Sequence, residues 1–289
     1  MGPARGSRLR AAAWSLGYLV SGYYGTTLLA RSLIGGLGRL GPGLESSVIA
    51  VALSQAVVGI AVLGVLTWLI GRRTLGLTPE ELGWCHPRPG FRGLGRGLAL
   101  GLGVAALALA VVVPFGVSSW ARDGGAWPTY LARLGVLALV LLPPAFMEEL
   151  AFRGVAFAGL RRAGGPGLAV LATSLLFALA HRLNPAVTTL ALGNIALAGI
   201  FLGLTFLAPG GLWTATGAHW GWNLALAGLA APVSGLPFEV PGIDFIPGEP
   251  AWLTGGGFGP EGGLFATVAL VAGIAIAARW HPRKEGAGR

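Results

Sequence analysis

Hydrophobic residues run through this chain in long, unbroken stretches, separated by short segments rich in Arg, Gly and Pro. A continuous apolar run of about 20 residues is the length an α-helix needs to cross a bilayer. Eight such runs can be read, at about 11–34, 47–70, 93–120, 131–160, 167–183, 187–207, 212–230 and 264–280. The breaks are chemically clear. Gly164-Gly165-Pro166, Asn184-Pro185 and Pro209-Gly210-Gly211 each end one run and open the next. Between the second and third runs, Thr78-Pro79-Glu80-Glu81 has the order of an N-cap, a proline at N1 and acids in a first turn. It predicts a short interfacial helix beside Trp84. A Pro/Gly-rich loop at 232–263 holds Glu239, Asp244, Glu249 and Glu261 and no Lys or Arg. The pattern therefore predicts an all-α, polytopic transmembrane bundle. Residues 1–289 form one integral membrane domain, with a chemistry-bearing core at about 131–231 and a C-terminal span at 264–280.

Composition agrees. Only 11% of the 289 residues are charged and 54% are hydrophobic, with a mean hydropathy of +0.72. Soluble domains carry about 25% charged residues. The 50 glycines are scattered through the apolar runs, where they permit close helix–helix approach. The net charge of +9 does not indicate nucleic acid, because the basic residues cluster between runs, as topology determinants and contacts to anionic lipids do. With the N-terminus inside, 14 of the 20 basic residues fall on the inner side. This favours N-in and C-in. One Lys, with abundant Arg, Ala, Gly and Leu, points to a GC-rich genome and a prokaryotic plasma membrane. The single cysteine, Cys85, excludes a disulfide framework or a cysteine metal cluster.

Against this apolar background, the stretch 147–154, MEELAFRG, stands out. An ionised group near the centre of a membrane helix costs about 2.5–3.5 kcal/mol on insertion scales. Glu149 and Arg153 are four apart and share a helix face, so they can pair. Glu148 points about 100° away. Later runs carry Phe177 and His181 four apart, and His219 and Asn223 four apart. One carboxylate, two imidazoles and one amide thus need polar company. Several chemistries fit. A Glu with a His can hold a water and take its proton. A His with an Asn can donate to a developing oxyanion. Glu148, His181 and His219 could instead ligate zinc, with water in the fourth position. Each leads to water attack on a carbonyl. The bland reading is a salt-bridged packing network in a membrane scaffold or immunity protein. A proton-relay transporter would need inverted repeats, and none is found. Other intramembrane protease patterns are missing: His-Glu-x-x-His, Gly-x-Ser-x-Gly and a pair of intramembrane aspartates.

The three motifs together, Glu148-Glu149-x-x-x-Arg153, Phe177-x-x-x-His181 and His219-x-x-x-Asn223, resemble the CPBP family of CAAX-processing and bacteriocin-processing intramembrane endopeptidases. The resemblance covers about 144–223. It implies a glutamate-dependent peptide hydrolase, and no cofactor is expected because an asparagine suits an oxyanion hole better than a zinc shell. Glu148 would be the general base sharing a water with His181, Glu149 and Arg153 would support the site, and His219 and Asn223 would hold the oxyanion. Zinc on Glu148, His181 and His219 is the alternative the family leaves open. The implied partner is a protein or peptide with a hydrophobic or lipidated C-terminal tail, met among membrane lipids. The run inventory puts His181 near the outer end of its span, which suits a sorting-tail substrate better than a cytosolic prenyl tail.

Overall fold

A computed structural model describes residues 5–41, 43, 47–112 and 118–280. The basic tail at 281–289 and the end of the third apolar run at 113–117 lie outside the described residues. The helices are α1 (Arg5–Leu40), α2 (Val48–Leu66), α3 (Pro87–Val112), α4 (Trp127–Arg153), α5 (Val155–Ala180), α6 (Thr189–Leu207), α7 (Leu212–Gly228), the single-turn α8 (Ala251–Thr254) and α9 (Leu264–Ala278). The architecture is the all-α helical one expected. Among the described residues, four helical stretches are long and apolar enough to cross a membrane: Val48–Thr74, Pro87–Ala110, Trp127–Ala180 and Thr189–Leu207. The third of these contains the fourth and fifth predicted runs. Leu264–Ala278 is apolar but shorter. By this measure the count of eight spans is not reached, because α1, α7 and α9 fall short of it.

The chain divides into two compact units, Met1–Gly83 with Ala138–Thr173, and Trp84–Leu137 with Ser174–Arg289. Two of the divisions fall inside α4 and α5 and the third between Gly83 and Trp84.

In the first unit, α2 widens into a π-helix at Thr67–Thr74. The Leu75 amide donates to Ile70 O at 2.9 Å, five residues back. Small residues set the approach of the helices. A Cβ on Gly71 would lie 2.8 Å from Val155 Cγ2, and one on Gly159 would lie 2.0 Å from Ser15 Oγ. The opening turn of α5 is therefore held by glycine notches. The helix through the motif is interrupted at Gly154, although Gly154 N still reaches Leu150 O at 3.2 Å. The true corner is where Gly164-Gly165-Pro166 predicts it. Gly165 has φ +88°, a left-handed conformation that favours glycine, and Pro166 restarts the helix.

The predicted interfacial helix at Thr78–Glu81 is a turn instead. Its capping exchange forms, with Thr78 N donating to Glu81 Oε2 at 2.8 Å and Glu81 N donating to Thr78 Oγ1 at 3.3 Å. No helix follows, because the chain turns at Gly83, whose φ is +76°, a left-handed conformation that ends a helix; Glu81 is engaged a second time. Arg162 grips both its oxygens, at 2.7 and 2.6 Å, and also donates to Leu75 O at 2.6 Å. The cap residues pin a loop rather than start a helix.

In the second unit, α3 and α7 approach through glycines on both sides. A Cβ on Gly97 would lie 2.1 Å from Thr214 O, and one on Gly101 would lie 2.0 Å from Ala218 O. Reciprocally, a Cβ on Gly217 would lie 2.2 Å from Leu94 O, and one on Gly221 would lie 2.4 Å from Leu98 O. This is small-xxx-small packing, backbone against backbone, on both helices. The C-terminal carbonyls of α7 are also held. Tyr130 OH donates to Gly228 O at 3.0 Å and Trp120 Nε1 donates to Leu229 O at 2.7 Å.

Trp120 belongs to a two-stranded antiparallel ribbon not foreseen from sequence. In it β1 (Ser119–Ala121) pairs with β2 (Asp244–Ile246), Trp120 opposite Phe245. Strands of three residues carry no readable periodicity.

Two outcomes follow. Gly101→Ala forces a methyl into the Ala218 carbonyl and should lower stability by about 1–3 kcal/mol, read as an earlier unfolding midpoint on SDS titration from mixed micelles. An unchanged midpoint would contradict the close approach. The second concerns Glu81, whose carboxyl Arg162 holds below its ordinary value, with burial opposing. A carboxylate with a depressed folded-state pKa stabilises above its unfolded pKa and loses that contribution as pH falls through the folded one. Amide exchange in residues 76–83, corrected for intrinsic rates, should stay slow at neutral pH and rise only below about pH 4. Glu81→Gln should make it fast throughout.

Candidate active site

The charged motif lies on the last turn of α4, in the first unit. Two prolines, Pro143 and Pro144, sit inside α4 just before it, so the carbonyls of Leu139 and Val140 lack their usual helical donors. One turn on, Glu149 and Arg153 form the expected pair, Arg153 Nη1 to Glu149 Oε1 at 3.3 Å, both with 0% side-chain exposure. Breaking a buried pair by removing one partner typically costs about 3–5 kcal/mol. Glu148 is partly exposed. The turn is further fixed by Tyr18, whose hydroxyl donates to Leu150 O at 3.1 Å.

The remaining motif residues lie in the second unit and line one cavity. The cavity has about 30 Å³ of room, enough to admit water, which needs about 10–15 Å³. Phe177, His181, His219 and Asn223 all face it. Phe177 is the shared wall, its ring centroid 4.6 Å from His181 and 5.9 Å from His219.

His181 is not within α5 but immediately after it, in a turn where its amide donates to Ala178 O at 3.0 Å. That tightening leaves Phe177 O to the side chain, and His181 Nδ1 lies 2.8 Å from it. A carbonyl only accepts, so Nδ1 carries a proton. In the neutral ring, Nε2 is then the basic nitrogen. His219 and Asn223 lie one turn apart on α7, whose position the α3 glycines fix.

Sequence reasoning missed two residues here. Glu261, read as one of four acids in a Pro/Gly-rich loop, lines the cavity. Trp222 Nε1 donates to its Oε1 at 2.7 Å, and the Ser234 amide donates to its Oε2. Burial raises its pKa above the ordinary carboxylate value. The Ser234 and Trp222 donors and nearby His181 oppose that rise. Asn194 on α6 clamps the loop. Its Nδ2 donates to Glu261 O and Gly263 O, each at 2.8 Å, while Thr267 Oγ1 donates to its Oδ1 at 2.6 Å. Asn194 had a signal, being an amide inside an apolar run. Glu261 had none, because its neighbours are Pro and Gly.

Cys85 donates to Gly210 O at 3.6 Å, and burial pushes its thiol pKa up, the opposite of an activated nucleophile. Among the described residues, no group of three or more His, Cys, Asp or Glu side chains is placed to hold a metal ion.

No curated protein and no solved structure shows a significant match to the chain. Residues 128–225, which hold all three motifs, match the family model described as type II CAAX prenyl endopeptidase Rce1-like. This segment is thus similar to the Rce1-like family, in keeping with the CPBP resemblance of its motifs.

Proposed function

We propose that the protein is an intramembrane endopeptidase that hydrolyses a peptide bond near the C-terminal tail of a protein substrate, using a glutamate-activated water. The matched family is a protease family, and the long apolar helices make the chain an integral membrane protein. The observation that carries the reading is the water-sized cavity where His181, His219 and Asn223 converge.

In the reaction, Glu148 takes the proton of the attacking water as it adds to the scissile carbonyl. His219 Nε2–H or Nδ1–H and the Asn223 amide donate to the oxyanion of the tetrahedral species. Such donors act where charge develops and need no reorganisation. Collapse breaks the C–N bond, and the leaving amine takes the proton back, with the basic Nε2 of His181 serving in the transfer. Glu149 and Arg153 neutralise one another and hold the turn that bears Glu148. The reaction needs no cofactor.

A lipidated tail is the substrate class the family description favours, since it names prenyl endopeptidases. Membrane lipids surround the approach to the site. A hydrophobic sorting tail without lipid is the second class, and only an assay separates them.

The test uses purified protein in liposomes with two internally quenched peptides, one ending in a farnesylated Cys-aliphatic-aliphatic-X tail and one in an unmodified apolar tail. Cleavage of either by wild type, and a fall of about 10²–10⁴-fold in Glu148→Gln with normal membrane insertion, is expected. Wild-type cleavage by Glu148→Gln would refute the glutamate mechanism, and no cleavage of either peptide would favour a packing role for the network. Chelator-treated protein should remain active and zinc-free. Tightly bound stoichiometric zinc would overturn the metal-free form.

A further inference from the structure

The loop at 232–263 lies beyond the family-matched segment 128–225, yet it supplies a wall of the cavity. Ser234 and Glu261 both line it. They are joined directly, since the Ser234 amide donates to Glu261 Oε2. The other carboxylate oxygen accepts from Trp222 Nε1 at 2.7 Å. Trp222 stands on α7 between His219 and Asn223. The Ser234 carbonyl in turn accepts from Asn184 Nδ2 at 3.0 Å, and Asn184 N donates to His181 O at 3.0 Å. One carboxylate thus links the two elements that carry the histidines. On one side it holds α7 through Trp222, and on the other the His181 turn through Ser234 and Asn184. The backbone of Glu261 is itself fixed by Asn194, so the link has a rigid anchor.

Only an ionised carboxylate meets both donors. A glutamine offers one acceptor oxygen, and its NH₂ would face an N–H. An aspartate keeps both acceptors but is one methylene too short. A partly buried acid is costly to keep, and Glu261 is also within electrostatic reach of His181. A loop whose only task was to cover apolar surface would carry an apolar residue here.

We propose that Glu261 is a positioning residue of the proteolytic site, holding Trp222 and the Ser234 loop so that His181, His219 and Asn223 keep their places around the water-sized cavity. The inference rests on the endopeptidase reading above. It predicts that Glu261 acts on turnover rather than on capture of the tail, because the groups it holds bear on the attacking water and the oxyanion.

The test is the farnesylated-peptide assay on the full chain in liposomes, with Glu261→Gln, Glu261→Asp, Trp222→Phe and the Glu261→Gln/Trp222→Phe double variant beside wild type and Glu148→Gln. We expect Glu261→Gln to lower kcat about tenfold or more with KM within about twofold, and Glu261→Asp to recover part of the loss. The double variant should be no slower than the slower single one, as for two residues acting through one contact. Wild-type kcat in Glu261→Gln, with Glu148→Gln inactive, overturns the role of Glu261 and leaves the endopeptidase reading intact. Equal rises in KM with unchanged kcat also overturn it. A readout without substrate covers the case in which wild type cuts nothing. In ¹⁵N-labelled protein in micelles, the Trp222 indole resonance, identified by its loss in Trp222→Phe, should shift in Glu261→Gln while the other indoles stay. An unmoved Trp222 resonance overturns the proposal whatever the enzymology.

Discussion

The contact between α3 and α7 is the constraint on which the second unit depends. Four glycines, Gly97 and Gly101 on one helix and Gly217 and Gly221 on the other, let the two backbones meet with no side chain between them. In a bilayer there is no hydrophobic gain from bringing two apolar helices together, because lipid is as apolar as leucine. Close van der Waals packing has to supply the attraction. Here it does so along the stretch of α7 that carries His219. The histidine is thus held by a surface whose geometry is that of main chain, which has far fewer conformations than side chains have.

The first unit solves a different problem with related means. A buried ion pair is a weak source of stability, because desolvation offsets most of its attraction. What the Glu149–Arg153 pair provides is a fixed turn, and the turn is braced further by Tyr18 on Leu150 O and by glycine notches at Gly71 and Gly159. Prolines one turn earlier leave this helix locally short of regular bonds. The polar groups near it are therefore kept in place by neighbours rather than by helix propensity.

Much of this was legible in the sequence because membrane chains write their exceptions plainly. A glutamate, histidine or asparagine inside a 20-residue apolar run is conspicuous, and spacings of four map directly onto helix faces. The helices, the corner at Gly164-Gly165 and the cavity-lining set Phe177, His181, His219 and Asn223 were readable for that reason. The loop at 232–263 was not. Among Pro, Gly and acids, Glu261 looks like its neighbours Glu239 and Glu249, and only three-dimensional closure separates them. The Thr78–Glu81 turn misled in the opposite sense. Its local chemistry is that of a helix start, but the chain turns at Gly83, and a long-range arginine, Arg162, pins the acid to the loop. Sequence separation of about 80 residues hides such a partner.

The place where α5 stops has an electronic consequence. Had the helix run on, Phe177 O would accept the backbone amide of residue 181, and the imidazole would be left to choose its own tautomer. Because the chain tightens one residue early, that carbonyl is offered to the ring instead, and Nδ1 takes it. The end of a helix thereby decides which nitrogen carries the lone pair and in which direction it points. A proton acceptor has been aimed by the length of a secondary-structure element.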